Sequence, residues 1–235
     1  MWAVIPVKDL ANAKQRLVEA LDPSERRRLF RCMFEDVLAT VSRARRLAGV
    51  MVVTRDATAT QIARERGARV LREDRNRGQS AAVGHAAAVL AGEGVAGMLT
   101  LPGDVPLATE EEIAVVLDAH GGAHGVTPAL SIVPARDGCG SNCMALTPPA
   151  VIPFHFGDDS FLPHLEEARR RGIEARILEL PGLGLDIDTP DDLRELLRRP
   201  GAGAVHAYLE TSGIAARLET LQTSVAPSLA AEVSA

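Results

Sequence analysis

The sequence predicts an α/β fold built on a mostly parallel central sheet, and three observations carry that expectation. Short apolar runs alternate with longer segments whose apolar residues recur at helical spacing, the pattern of a doubly wound sheet. Two of the runs end in acidic signatures, Met98-Leu99-Thr100-Leu101-Pro102-Gly103-Asp104-Val105-Pro106 and Leu183-Gly184-Leu185-Asp186-Ile187-Asp188-Thr189-Pro190. The length, 235 residues with 46% hydrophobic, suits one sizeable domain and is too short for two comfortable ones.

The elements follow in order. Trp2–Val7 reads as the first strand. Asp22-Pro23-Ser24 opens a helix reaching about Arg46, with Phe30, Met33, Phe34, Val37, Leu38 and Val41 on one stripe and Arg26–Arg28 facing water. Val50–Val53 is a strand, Thr58–Arg66 a helix ended by Gly67, and Arg69–Leu71 a short strand. Gly78–Leu90 is an Ala-rich helix able to pack closely, and Gly97–Leu101 is the next strand. Thr109 caps the helix after it, whose first turn carries Glu110–Glu112 as its dipole favours. Gly125–Pro128, Ser131–Pro134 and Asn142–Leu146 read as strands, Phe161–Arg171 as a helix, Ala175–Leu180 and Gly184–Asp188 as strands. Pro190 starts a helix running to Arg198. A domain over residues 1–200 is therefore expected, followed by a tail over 201–235. Its Ala-, Ser- and Thr-rich end, Ser212 to Ala235, is expected to be loose or a peripheral helix.

Composition excludes several classes of function. A net charge of −5 with only 3% aromatic residues offers no basic, stacking surface for nucleic acid. No run approaches about 18 apolar residues, so no membrane span is expected. Three cysteines without a disulfide framework, and no signal-peptide pattern at the start, point to the cytoplasm. Cys139 and Cys143 with His155 make a poor zinc set, lacking a second ligand pair at the usual spacing.

Chemistry concentrates in a few segments. Pro6-Val7-Lys8-Asp9-Leu10-Ala11-Asn12-Ala13-Lys14-Gln15-Arg16 puts two lysines and an arginine on the loop after the first strand, well suited to a triphosphate. It is not a P-loop, and no dinucleotide fingerprint is present. Gly78, Gln79 and Ser80 open a helix with amide donors and polar side chains suited to a base or ribose. Pro102 and Gly103 present Asp104 on a stiff turn, and Asp186 and Asp188, two apart on an expected strand, share one face from which they could grip one cation with it. Three carboxylates at strand ends fit Mg²⁺ and a phosphorylated substrate. The Gly-rich loop Asp137 to Cys143 and the helix start at Gly157-Asp158-Asp159-Ser160 are candidate anion sites.

In this order, these segments resemble the 2-phospho-L-lactate guanylyltransferase family of coenzyme F-420 biosynthesis. The resemblance rests on Ile5-Pro6-Val7-Lys8, Ala13 to Leu17, Gly78 to Ala81, Pro102 to Pro106, Gly138 to Leu146, Gly157 to Ser160 and Asp186 to Pro190. It implies a single-domain, Rossmann-like GT-A-type nucleotidyltransferase fold that uses GTP and Mg²⁺. By the same resemblance Asp104, Asp186 and Asp188 bind metal, and Asp104, Lys8 and Lys14 are catalytic. Pro6, Val7, Lys8, Lys14, Arg16, Gly78, Gln79, Ser80, Pro102 and Gly103 hold the nucleotide. Asn142, Cys143, Gly157 and Ser160 hold the acceptor, Cys143 standing where many relatives carry a small residue or threonine. Family members differ over phosphoenolpyruvate, 2-phospho-L-lactate and 3-phospho-D-glycerate, and a homodimer is left open. Two alternatives remain: a nucleotidyltransferase for a molybdopterin or sugar phosphate, and a non-catalytic nucleotide-binding module.

Overall fold

In a computed structural model, which describes residues 1–10, 13–75, 77–121, 128–157 and 159–220, seven strands form one sheet between two layers of helices. The strands are β1 (Trp2–Pro6), β2 (Gly49–Thr54), β3 (Arg69–Arg72), β4 (Met98–Thr100), β5 (Ala129–Pro134), β6 (Ser141–Thr147) and β7 (Arg176–Ile177). The helices are α1 (Pro23–Arg43), α2 (Ala57–Glu65), α3 (Gln79–Gly92), α4 (Glu110–Gly121), α5 (Phe161–Arg170), α6 (Pro190–Arg198) and α7 (Ala204–Ser212). Strand order is β3-β2-β1-β4-β6-β5-β7. β6 runs against β4 and β5, and the remaining pairings are parallel, so the mostly parallel sheet is as expected.

Alternation along each strand sorts the core into two halves. Ala3, Ile5, Val52, Leu99, Val133 and Ala145 face a core shared with α1, α4, α6 and α7. Val4, Met51, Val53, Met98, Ile132 and Met144 face the other, closed by Ala82, Val83, Ala86 and Ala87 of α3. Small side chains on α3 allow the close approach expected of it. Between the layers, the buried His120 of α4 bridges Ser131 Oγ (3.2 Å) and Thr147 Oγ1 (2.8 Å).

Local chemistry sets the helix ends. Asp22 accepts from the backbone of Ser24 and Glu25 while Glu25 returns a bond to Asp22, a capping box that starts α1. Thr109 caps α4, accepting from Glu112 N at 3.1 Å. α1 stops at Arg43, short of Arg46, and Arg26 is buried, its guanidinium donating to the Leu21 carbonyl at 2.7 Å. Only Arg27 and Arg28 of that trio face water.

Two expected strands differ. Ala175–Leu180 contracts to Arg176–Ile177, and Gly184–Asp188 joins no sheet. The reason lies in backbone donors satisfied elsewhere. Glu112 of α4 accepts from Gly182 N (2.7 Å) and Leu183 N (2.8 Å), and Ile187 N donates to Asp104 O (3.1 Å). Of the expected strand Gly125–Pro128, 125–127 lie outside the described residues, and Pro128 just precedes β5. Past residue 200, α7 and helical residues 214–220 pack Val205, Tyr208, Leu209, Ile214 and Leu218 into the α1 core. Asp36 of α1 caps α7 through Ala204 N (2.7 Å) and Val205 N (2.9 Å). No helix among the described residues is long and apolar enough to cross a membrane.

Candidate active site

Strand order reverses between β1 and β4, and the crevice beyond their carboxyl ends is where an open α/β sheet receives ligands. Two cavities meet there. The first, of about 540 Å³, is lined by Pro6, Lys8, Gln79, Pro102 and Gly103, with Phe30 and Arg55. The second, of about 400 Å³, is lined by Arg16, Asp137, Asn142, Gly157, Ser160 and Asp186. Lys8, Gln79, Pro102, Asp104 and Asp188 border both, so one ligand can reach another across them. Gly103 lets the β4 loop lie against α1: a Cβ there would stand 3.3 Å from the Phe34 ring.

The acidic signatures converge on this border. Ile187 N on Asp104 O ties the two segments backbone to backbone, and the alternation of Leu185 and Ile187 inward leaves Asp186 and Asp188 toward the cleft. Lys14, in the left-handed region at φ 55°, sends its ammonium between two carboxylates, 2.5 Å from Asp104 Oδ2 and 2.7 Å from Asp188 Oδ1. Its side chain is 2% exposed. Burial works to lower the Lys14 pKa, but the charges of Asp104 and Asp188 outweigh it and the pKa is raised. Asp188 shows the reverse balance: burial works to raise it, and Lys14, with Arg16 4.0 Å from Oδ2, holds it below the usual carboxylate range.

Among the described residues Asp186 has no such partner. Burial and the nearby Asp104 charge push its pKa up to about 6, against an opposing hydrogen bond from Asn142 Nδ2 at 3.0 Å. Among the described residues Asp104 Oδ1 is buried without a hydrogen-bond partner, a costly state for a carboxylate oxygen. An orphaned oxygen beside a carboxylate that resists ionisation suits a divalent cation, since Mg²⁺ is commonly held by one or two carboxylates together with phosphates.

Several expectations need correcting. Asp104, Asp186 and Asp188 do not form a ready-made three-carboxylate cage; among the described residues no such group is assembled, because Lys14 occupies the gap between Asp104 and Asp188. Lys14 lines the first cavity, as expected of it, with its ammonium engaged by the two carboxylates. Val7 is a core residue whose amide donates to Val53 O at 2.9 Å. Ser80 Oγ donates to the Phe156 carbonyl at 3.4 Å, and Gly78 (φ 90°) shapes the start of α3; neither lines the two cavities. Arg16 borders the second cavity, not the first. Cys143 is 1% exposed and faces the α1-side core beside Val133, its thiol pKa raised by burial, so its side chain lines neither cavity. Asp158 lies outside the described residues.

Sequence reasoning assigned no site role to Arg55, Phe30 and Phe156, all of which line the cleft, whereas Asp137 lines the second cavity as expected of its loop. Arg55 alone carried a usable signal, as a cation directly following an apolar strand.

Comparison with known proteins agrees with this architecture. A family model described as guanylyl transferase, CofC like, matches residues 1–226. A phosphoenolpyruvate guanylyltransferase from Roseiflexus castenholzii is 39% identical over 201 residues, covering 86% of this chain and 90% of the relative. A 2-phospho-L-lactate guanylyltransferase from Methanothermobacter thermautotrophicus is 33% identical over 207 residues, covering 88% of each. Among solved structures, a nucleotidyl transferase from the same organism superposes with a TM-score of 0.59 at 19% identity, covering 83% of this chain and 94% of the other. That last likeness concerns the fold.

Proposed function

The chain belongs to the CofC-like guanylyl transferase family, and from that premise we propose that it transfers GMP from GTP to a small phosphorylated carboxylic acid, as a step of coenzyme F-420 biosynthesis. Phosphoenolpyruvate is the favoured acceptor, because the Roseiflexus relative at 39% identity carries that name. The observation that carries the reading is the family match over residues 1–226, joined to a cleft of two cavities that meet at Asp104 and Asp188.

In this reading GTP occupies the first cavity and the acid the second. A phosphate oxygen of the acid attacks the α-phosphorus of GTP in line. The bond from that phosphorus to the bridging oxygen breaks, and pyrophosphate leaves with the electron pair. The nucleophile is ionised near neutral pH, so no general base is required, and the task is to hold two polyanions in line. Lys8, bordering both cavities, and Arg16 supply fixed positive charge along that line. Gln79 at the start of α3 faces the nucleotide, and Asn142 orients Asp186 through its amide. Asp104 and Asp186 are the residues that would hold Mg²⁺, which supplies neutralising charge between the phosphates. Lys14 fixes Asp104 and Asp188 and with them the lysine-bearing loop.

Pyrophosphate release tests the reading. The protein is incubated with GTP and, in turn, phosphoenolpyruvate, 2-phospho-L-lactate and 3-phospho-D-glycerate, with ATP, CTP and a sugar phosphate as controls. Release is expected with GTP and one phosphorylated acid, and only with a divalent cation. Equal release with CTP, or none with any acid, overturns the reading.

A further inference from the structure

His164 belongs to α5, outside the acidic cluster, and its side chain is completely buried, yet both ring nitrogens are engaged. Nε2 lies 2.9 Å from the backbone N–H of His155. That group can only donate, so Nε2 is the unprotonated nitrogen of the ring. Burial keeps the imidazole neutral, with its pKa near 4, so the proton sits on Nδ1. Nδ1 lies 2.9 Å from Ser141 Oγ and donates to it. Ser141 in turn gives its backbone N–H to Ser160 Oγ at 2.9 Å. Each serine hydroxyl therefore already accepts one hydrogen bond and retains its own proton as a donor. Ser141 and Ser160 both line the second cavity, together with Asn142 and Gly157.

We propose that His164 is a positioning residue for the acceptor: through Ser141 it sets two serine hydroxyls as paired donors toward the anionic group of the bound acid. The proposal rests on the second cavity being the acceptor pocket. A hydroxyl that has accepted a bond from a fixed neighbour has fewer orientations left, so its proton is already aimed when the anion arrives. The same imidazole holds the chain at His155, which leads into the Phe156-Gly157 wall of that cavity. One side chain thus couples the wall to the donors.

The test is steady-state kinetics of the full-length protein with GTP and phosphoenolpyruvate, each varied with the other saturating. Ser141→Ala and His164→Leu are each expected to raise KM for the acid about 10- to 100-fold, the loss of a hydrogen bond to a charged group, leaving KM for GTP within about twofold. His164→Asn, whose amide can still donate to Ser141, is expected to recover most of the acid affinity. An unchanged acid KM in Ser141→Ala, or in a folded His164→Leu, overturns the proposal. So does equal failure of the asparagine and leucine variants, which indicates a need for the ring's shape. Should His164→Leu not fold, Ser141→Ala and His164→Asn still decide. If the wild-type protein turns over no phosphorylated acid, the functional reading falls and takes this proposal with it. Normal wild-type turnover with unaltered acid KM in the variants removes this proposal alone.

Discussion

Lys14 forms an internal counter-ion in the cleft, with its ammonium shared by Asp104 and Asp188 and sealed from solvent. Removing one partner from a buried ion pair leaves the others uncompensated, at a cost of about 3–5 kcal/mol. Asp188 is 42% exposed and water screens it, so Lys14→Met is expected near the lower end, about 3 kcal/mol, by urea unfolding. The sign of its pH dependence follows from the two shifts. The raised Lys14 pKa means that its share is lost only as pH climbs above the ordinary lysine range. The lowered Asp188 pKa means that its share is lost only as pH falls below the ordinary carboxylate range. The destabilisation should therefore be flat across neutral pH; a steep slope between pH 6 and 8 would contradict the pairing. Asp104→Asn keeps the shape but removes one of the two carboxylates that border both cavities, and turnover is expected to fall by about a hundredfold or more while the fold survives. A thermal melt alongside pyrophosphate release checks both halves. The residue types of this triad are plain in the sequence; their pairing is not. A lysine two positions from an arginine in a loop reads as a ligand for phosphates, because nothing local says that residues 90 and 174 positions away will enclose it.

At the scale of elements, the acidic turn depends on its supports. Glu112, in the first turn of α4, accepts from two backbone amides at Gly182 and Leu183, and so fixes where residues 186–188 emerge. Glu112→Ala should cost about 1.5–3 kcal/mol, as for hydrogen bonds to a charged group, and lower kcat further than it alters KM for GTP. Glu112→Gln, keeping one acceptor oxygen, should recover part of both. Beyond the turn, Thr189 accepts from Asp192 N and Asp192 returns to Thr189, which relieves Asp188 of any capping duty and leaves its carboxylate for Lys14. Helix starts such as this one were legible because a cap is written within four residues. The stretch 184–188 reads as a strand because its in–out alternation is real, yet it joins no sheet. The sequence shows which side chains turn inward, but not which distant groups satisfy the backbone. Cys143 illustrates the same limit, since the face of β6 on which a side chain lies depends on pairing with β4 and β5.

Across the whole molecule, two buried neutral histidines link stability to pH. His120 and His164 are both held near a pKa of 4, chiefly by burial, against 6.5 for the free side chain. Below pH 6.5 the unfolded chain binds protons that the folded protein refuses, so stability falls with pH, by about 2 kcal/mol for each histidine by pH 5. Above pH 6.5 neither contributes. Urea unfolding at pH 7.5 and pH 5 measures the difference, and His120→Gln should flatten it; an unchanged slope would show that His120 is not responsible. The layered architecture was readable from apolar periodicity alone, while the course of β6 against its neighbours was not, because a short buried run carries no direction. The placement of Lys14 against Asp188, 174 positions later in the chain, also has a consequence for biosynthesis. Until the ribosome has added residue 188, the lysine has only one of its two carboxylate partners. Nascent chains arrested before residue 186 should therefore retain no GTP on a filter, and competence should arrive abruptly once α6 has cleared the exit tunnel.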